Sequence, residues 1–125
     1  MGLFNALMGQ ASEVSIDKIN EEFKSILIPG ETIEKAYKVI RDRFVFTTKR
    51  LILVDKQGLT GSKVDYQSIP YTSILRFSKE SAGLMDLDAI LKIWIKGEPV
   101  PIRKEFGKDN NINEVYLILS QHILK

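Results

Sequence analysis

Seven short β-like runs crowd the middle of this chain, and their spacing limits the folds open to it. TIEKAYKVI, RFVFTT, RLILVDK, KVDYQSI, SILRFSK, DAILKIWI and VPIRKEF follow one another between Glu31 and Phe106. Turn-forming residues part them: Arg41-Asp42, Thr48-Lys49, Gly58 to Gly61, Pro70-Tyr71, Ser81 to Asp86 and Gly97 to Pro99. Regularly spaced strands with such short connections predict an antiparallel meander, wrapped into a small barrel or two packed sheets.

Helical periodicity bounds the β region on both sides. SIDKINEEFKSIL, residues 15–27, places Ile16, Ile19, Phe23, Ile26 and Leu27 on one stripe, with Ser15 as N-cap and Pro29-Gly30 as terminator. Beyond Gly107, NINEVYLILSQHILK aligns Ile112, Val115, Tyr116, Leu119 and Ile123, with Asn111 and Glu114 at capping-box spacing. The expected organisation is an apolar extension over 1–14 and one domain over 15–125. That domain comprises a helix over 15–27, strands over about 31–106 and a helix over about 111–124.

Bulk properties narrow the function. A chain of 125 residues with 44% hydrophobic and 27% charged side chains is ordinary for a globular domain. A net charge of +2 argues against a nucleic-acid partner. The absence of cysteine removes disulfides, thiolate metal sites and thiol catalysis. No apolar run approaches the ~20 residues of a membrane span, and MGLFNALMGQASEV lacks a basic n-region. A cytoplasmic protein is expected.

An antiparallel barrel closed at one end by a C-terminal helix is the pleckstrin-homology (PH) architecture. FVFTTKRLILVDKQGLTGSKVDYQSIPYTSI followed by DLDAILKIWI resembles the small bacterial PH-domain family, formerly a domain of unknown function. TTKRLILVDKQG, IPY and LKIWI are the most specific stretches, and the likeness runs from MGLFNALMG to the C-terminal helix. The resemblance implies a mainly β fold: a PH-like barrel of seven antiparallel strands in two packed sheets, with a C-terminal capping helix and an extra N-terminal helix. It also implies ring-forming homo-oligomers, often five-fold; the function expected of the chain is then a non-catalytic, self-assembling scaffold that binds protein partners.

Chemistry-bearing residues are sparse. His122 has neither an orienting acid nor a nucleophile near it in sequence, and reads as a cation at a helix C-terminus. Asp86 and Asp88 read as a solvated turn, since cation sites recruit more oxygen ligands. Gly58-Leu59-Thr60-Gly61-Ser62-Lys63 has the wrong spacing for a phosphate loop and no following helix. No catalytic, metal or cofactor residue is predicted, and the chain is not expected to be an enzyme.

Three surfaces are candidates instead. Lys38, Arg41, Arg43, Lys49 and Arg50 cluster about the first hairpin, and Lys38-x-x-Arg41-x-Arg43 is spelled like the phosphoinositide motif of eukaryotic PH domains. On simple alternation, however, Lys38 faces away from Arg41 and Arg43. An anionic-lipid site here would make the protein a peripheral membrane module, the alternative to the scaffold. Second, Leu51-Ile52-Leu53-Val54 is apolar on both faces, and DAILKIWI places Ile90 and Trp94 opposite its core residues. The N-terminal helix is expected to cover one sheet, leaving Ile52, Val54, Ile90 and Trp94 as candidates for contact with a second copy. Third, Leu3, Phe4, Leu7 and Met8 could meet a neighbour, the barrel or a membrane surface; the N-myristoylation pattern fails at Ala6.

Overall fold

A computed structural model describes residues 16–39, 42–57, 63–81, 89–106 and 112–124. A short helix α1 (Ile16–Glu22) precedes seven strands: β1 (Ile33–Val39), β2 (Asp42–Thr47), β3 (Arg50–Gln57), β4 (Lys63–Pro70), β5 (Ile74–Ser81), β6 (Ala89–Ile95) and β7 (Ile102–Phe106). One 3₁₀ turn (Tyr71–Ser73) joins β4 to β5, and helix α2 (Ile112–Ile123) follows β7. All the strand pairings are antiparallel, in a four-stranded sheet ordered β1-β2-β3-β4 and a three-stranded sheet ordered β5-β6-β7.

Alternation sorts the side chains into two cores. Tyr37, Phe44, Phe46, Leu51, Leu53, Leu91, Ile93 and Phe106 turn into the space between the sheets, which α2 closes with Ile112, Val115 and Leu119. Phe44 and Phe106 carry the contact across the sheets, their rings 5.6 Å apart. The opposite face of the first sheet supplies a second, smaller core: Ile33, Ala36, Val45, Ile52 and Val54 pack under Ile19 and Phe23. A bulge between Ile33 and Lys35 makes this possible, because it brings two residues three apart onto one face.

The apolar excess of the third run is therefore covered within the subunit. Ile52 and Val54, expected at a contact between copies, are 0% and 1% exposed. The helix is shorter than the predicted 15–27 and ends at Glu22, but the chain does not leave the sheet there. A tighter turn follows, with Ile26 N–H bonded to Phe23 C=O at 2.9 Å, and it brings Ile26 and Leu27 onto the same cluster. Helix plus turn shield what the helix alone would not. Gly30, at φ +86°, then reverses the chain into β1.

Candidate functional site

The basic hairpin residues were the alternative, anion-binding candidates, with Lys38 read as facing away from Arg43. The described ones divide by what they touch. Lys38 pairs directly with Arg43 across β1 and β2, so the two share a face, contrary to the alternation count. A hairpin reversal restarts the alternation, and residues opposite one another in an antiparallel pair always point the same way. On that face Arg43 grips Glu22 of α1 with both terminal nitrogens, at 2.7 and 2.5 Å. The Tyr66 hydroxyl donates to the same carboxylate at 2.6 Å. Arg43's hydrogen bonds hold the Glu22 carboxyl below its usual range despite partial burial.

Arg50 is committed more deeply. Its Nε and Nη2 donate to the two oxygens of Glu31, at 2.8 and 2.7 Å, and Nη2 also reaches the Ile26 carbonyl at 2.9 Å. Its Nη1 donates to Ser68 Oγ at 3.0 Å. The Glu31 carboxylate, wholly shielded from solvent, also accepts from the Thr47 hydroxyl and the Ile28 N–H. Arg50's hydrogen bonds, with help from Thr47 and Ile28, hold its pKa down to about 2 against the pull of burial. Two of the guanidinium groups proposed for phosphate thus fasten the α1–β1 segment to the sheet. Lys38 and Lys49 remain exposed, while Arg41 lies outside the described residues. Arg43→Ala is accordingly expected to lower stability by about 1–2 kcal/mol in urea denaturation. Binding to phosphatidylglycerol liposomes should stay unchanged, and a loss there with stability intact would restore the lipid reading.

Ile90 and Trp94 were grouped with Ile52 and Val54, yet they belong to the other sheet, on the outer face of β6. Ile90 is 9% exposed, and Trp94 is half-buried beneath the Arg76 guanidinium. Leu3, Phe4, Leu7 and Met8 lie outside the described residues, as do Asp86, Asp88 and the glycine loop. His122 does sit in the last turn of α2, and it has two partners. Its ring lies flat on Tyr71, with centroids 4.0 Å apart, and Nε2 is 2.7 Å from Glu34 of β1. The Tyr71 hydroxyl, pushed up by burial, donates to the Thr47 carbonyl at 2.8 Å. This stack seats the helix end on the barrel. Among the described residues no three His, Cys, Asp or Glu converge in a way that could hold a metal ion.

The feature missed from sequence is an edge. β4 pairs with β3 on one side and with no described strand on the other. Every residue of β4 except Ile69 is exposed, including Val64 and Tyr66. Beside it runs a groove of about 460 Å³, lined among others by Ile69, Pro70, Ile95, Val100 and Ile102. The signal was present in KVDYQSI, which never builds a full apolar face and so reads as a strand at the border of a sheet.

A sequence model of the bacterial PH domain matches residues 2–123 of this chain. The chain belongs to that family. The PH-like domain is 52% identical over 121 residues to the uncharacterized protein YjqA of Bacillus subtilis, covering 96% of this chain and 97% of that protein. It is 32% identical over 103 residues to YozO, also uncharacterized, of the same organism, covering 82% and 88%. Among solved structures it superposes on a pleckstrin-homology domain from Shewanella amazonensis SB2B with a TM-score of 0.86. Identity there is 47%, and coverage is 99% of this chain and 100% of the other. A DUF1696-family protein with a PH domain from Shewanella loihica PV-4 gives a TM-score of 0.80 at 45% identity, covering 92% and 98%. The two-sheet barrel with its C-terminal helix is thus the PH fold, and α1 adds a layer on its outside. No helix among the described residues is long and apolar enough to cross a membrane.

Proposed function

We propose that this PH-like domain is a non-catalytic scaffold that assembles head to tail with copies of itself into a homo-oligomeric ring and offers the ring to protein partners. The supporting observation is the β4 edge, which no strand among the described residues covers. Soluble proteins seldom leave a long edge strand bare, because its unpaired N–H and C=O groups recruit another chain. Val64 and Tyr66 put apolar surface on the same strand, and the adjoining groove could receive side chains from an added segment.

The first sheet has two end strands, β4 and β1, and neither is joined to a further strand among the described residues. Joining β4 of one copy to β1 of the next uses two different patches. Interfaces of that kind close into rings when the rotation permits. The five-fold count is carried by the family resemblance alone.

Light scattering at micromolar concentration should return a multiple of 14.2 kDa, and a monomer would sink the proposal. Val64→Lys combined with Gln67→Lys places two charges on the exposed edge and should shift the population to monomer. The melting temperature of that monomer should move by only a few degrees, since neither residue is buried.

A further inference from the structure

Four of the five arginines lie among the described residues, and they divide into two kinds. Arg43 and Arg50 are tied to carboxylates inside the subunit. Arg76 and Arg103 have no carboxylate partner among the described residues, and both project from the outer face of the second sheet. The cross-strand register orders that face into rows. Arg76 stands opposite Trp94; Ser78, Lys92 and Arg103 form the next row; Glu80, Ile90 and Glu105 form the third.

A bulge between Ile74 and Arg76 sets the first row, letting Ile74 and Phe77 both turn inward while Arg76 is aimed outward at Trp94. The Arg76 guanidinium carbon lies 4.4 Å from the Trp94 ring centroid. This cation–π contact holds the guanidinium over the ring while Arg76 stays exposed, so much of the ordering that a bound carboxylate would otherwise impose is already present. Tryptophan and arginine together are also the side chains that dominate protein interfaces.

We propose that this face is a docking surface for an acidic protein segment. A carboxylate would be held by Arg76 and Arg103, and an aliphatic side chain would lie against Trp94. Charge on the face selects this partner. Lys92 is drawn towards Glu80, at 3.5 Å, so the positive end of the face is carried by the two arginines. Glu80 and Glu105 make the far row negative. A nucleic acid or an anionic bilayer presents negative charge without interruption and would meet those carboxylates as well as the arginines. A protein segment can carry acids at one end and neutral or basic residues at the other. The surface is separate from the β4 edge, so it does not depend on ring assembly.

Trp94 is the sole tryptophan, and its emission therefore reports on this face alone. The probe is a capped peptide, acetyl-Glu-Leu-Asp-Leu-Glu-Gly-Lys-amide, titrated into the full chain at low salt. A saturable change in Trp94 emission is expected. Arg76→Gln should weaken it about tenfold or more and Arg103→Gln less, while Glu80→Gln should not weaken it. Arg76→Lys, which keeps the charge but loses the planar fork, should also bind more weakly. Arg76 is exposed, and circular dichroism of each variant should match the parent. The monomeric Val64→Lys/Gln67→Lys chain should bind as the parent does, which separates this surface from the assembly edge. The assignment is overturned if emission does not saturate, or if Arg76→Gln binds like the parent. It is likewise overturned if phosphatidylglycerol vesicles or a thymidine 20-mer bind in an Arg76-dependent way more tightly than the peptide.

Discussion

Arg50→Ala is expected to lower the stability of this domain by about 3–5 kcal/mol, because it strands the Glu31 carboxylate in a site shielded from solvent. Glu31 accepts from Arg50, Thr47 and Ile28, and these bonds tie the turn after α1, the start of β1 and the β2–β3 hairpin into one knot. Breaking a buried pair from one side costs far more than its formation contributes, since the remaining charge keeps its desolvation penalty. The urea midpoint should therefore fall steeply for Arg50→Ala with an unchanged slope. Removing both groups, as Glu31→Leu/Arg50→Leu, should cost less than the two single changes added together.

The same knot sets an acid limb. The Glu31 pKa is held at about 2, against 4.5 when free. A carboxyl depressed by folding contributes stability that is present above the unfolded value and is lost as pH falls through the folded one. The window is thus pH 4.5 down to about 2, and the contribution is on the order of 3 kcal/mol. Asp42 works in the opposite sense. Burial raises its pKa, with Asp55 opposite it in the register adding to the rise and Lys104 at 2.9 Å opposing it, so acid relieves a cost there. A urea series across pH 2 to 6 should show stability falling with acid in the parent and a visibly flatter limb in Glu31→Gln. Equal limbs in the two proteins would contradict this account of Glu31.

Phe23→Ala is the second large effect, at about 3–5 kcal/mol. Phe23 is fully buried, edge-on to Tyr66 with centroids 5.6 Å apart, and it packs in the cluster with Val45, Ile52 and Val54. Truncation removes the largest side chain of the outer layer and opens a cavity between α1 and the sheet. The barrel interior is a separate cluster and should survive, so the variant should keep its strand circular dichroism while binding a hydrophobic dye and aggregating sooner on warming. Phe23→Leu should lose markedly less.

Much of the fold was legible because local chemistry carries it. Turn residues marked the strand boundaries, and alternation assigned Leu51 and Leu53 to one face and Ile52 and Val54 to the other. What covers a face is not local information. Arg43 meets Glu22 and Arg50 meets Glu31 across 21 and 19 residues, and neither spacing announces the pairing. The reach of the turn after α1 was hidden for a related reason: Ile26 and Leu27 leave the helix yet stay on the sheet. Within the candidate surfaces, Trp94 was visible as an outward aromatic. Its partner Arg76 was not, because a bulge shifts the pairing by one residue and bulges leave little trace in composition.

The two cores also differ in when they can form. The buried residues of the cluster beneath α1 run from Ile19 to Val54, so all of them have been synthesised before β4 begins. The barrel cluster begins at Tyr37 and needs Ile112, Val115 and Leu119. While the chain leaves the ribosome, Phe44, Phe46, Leu51 and Leu53 have their outward neighbours in place on the far side of the sheet but no closed interior to enter. That interval, longer than half the chain, is when a nascent domain of this design would most need a chaperone's shelter.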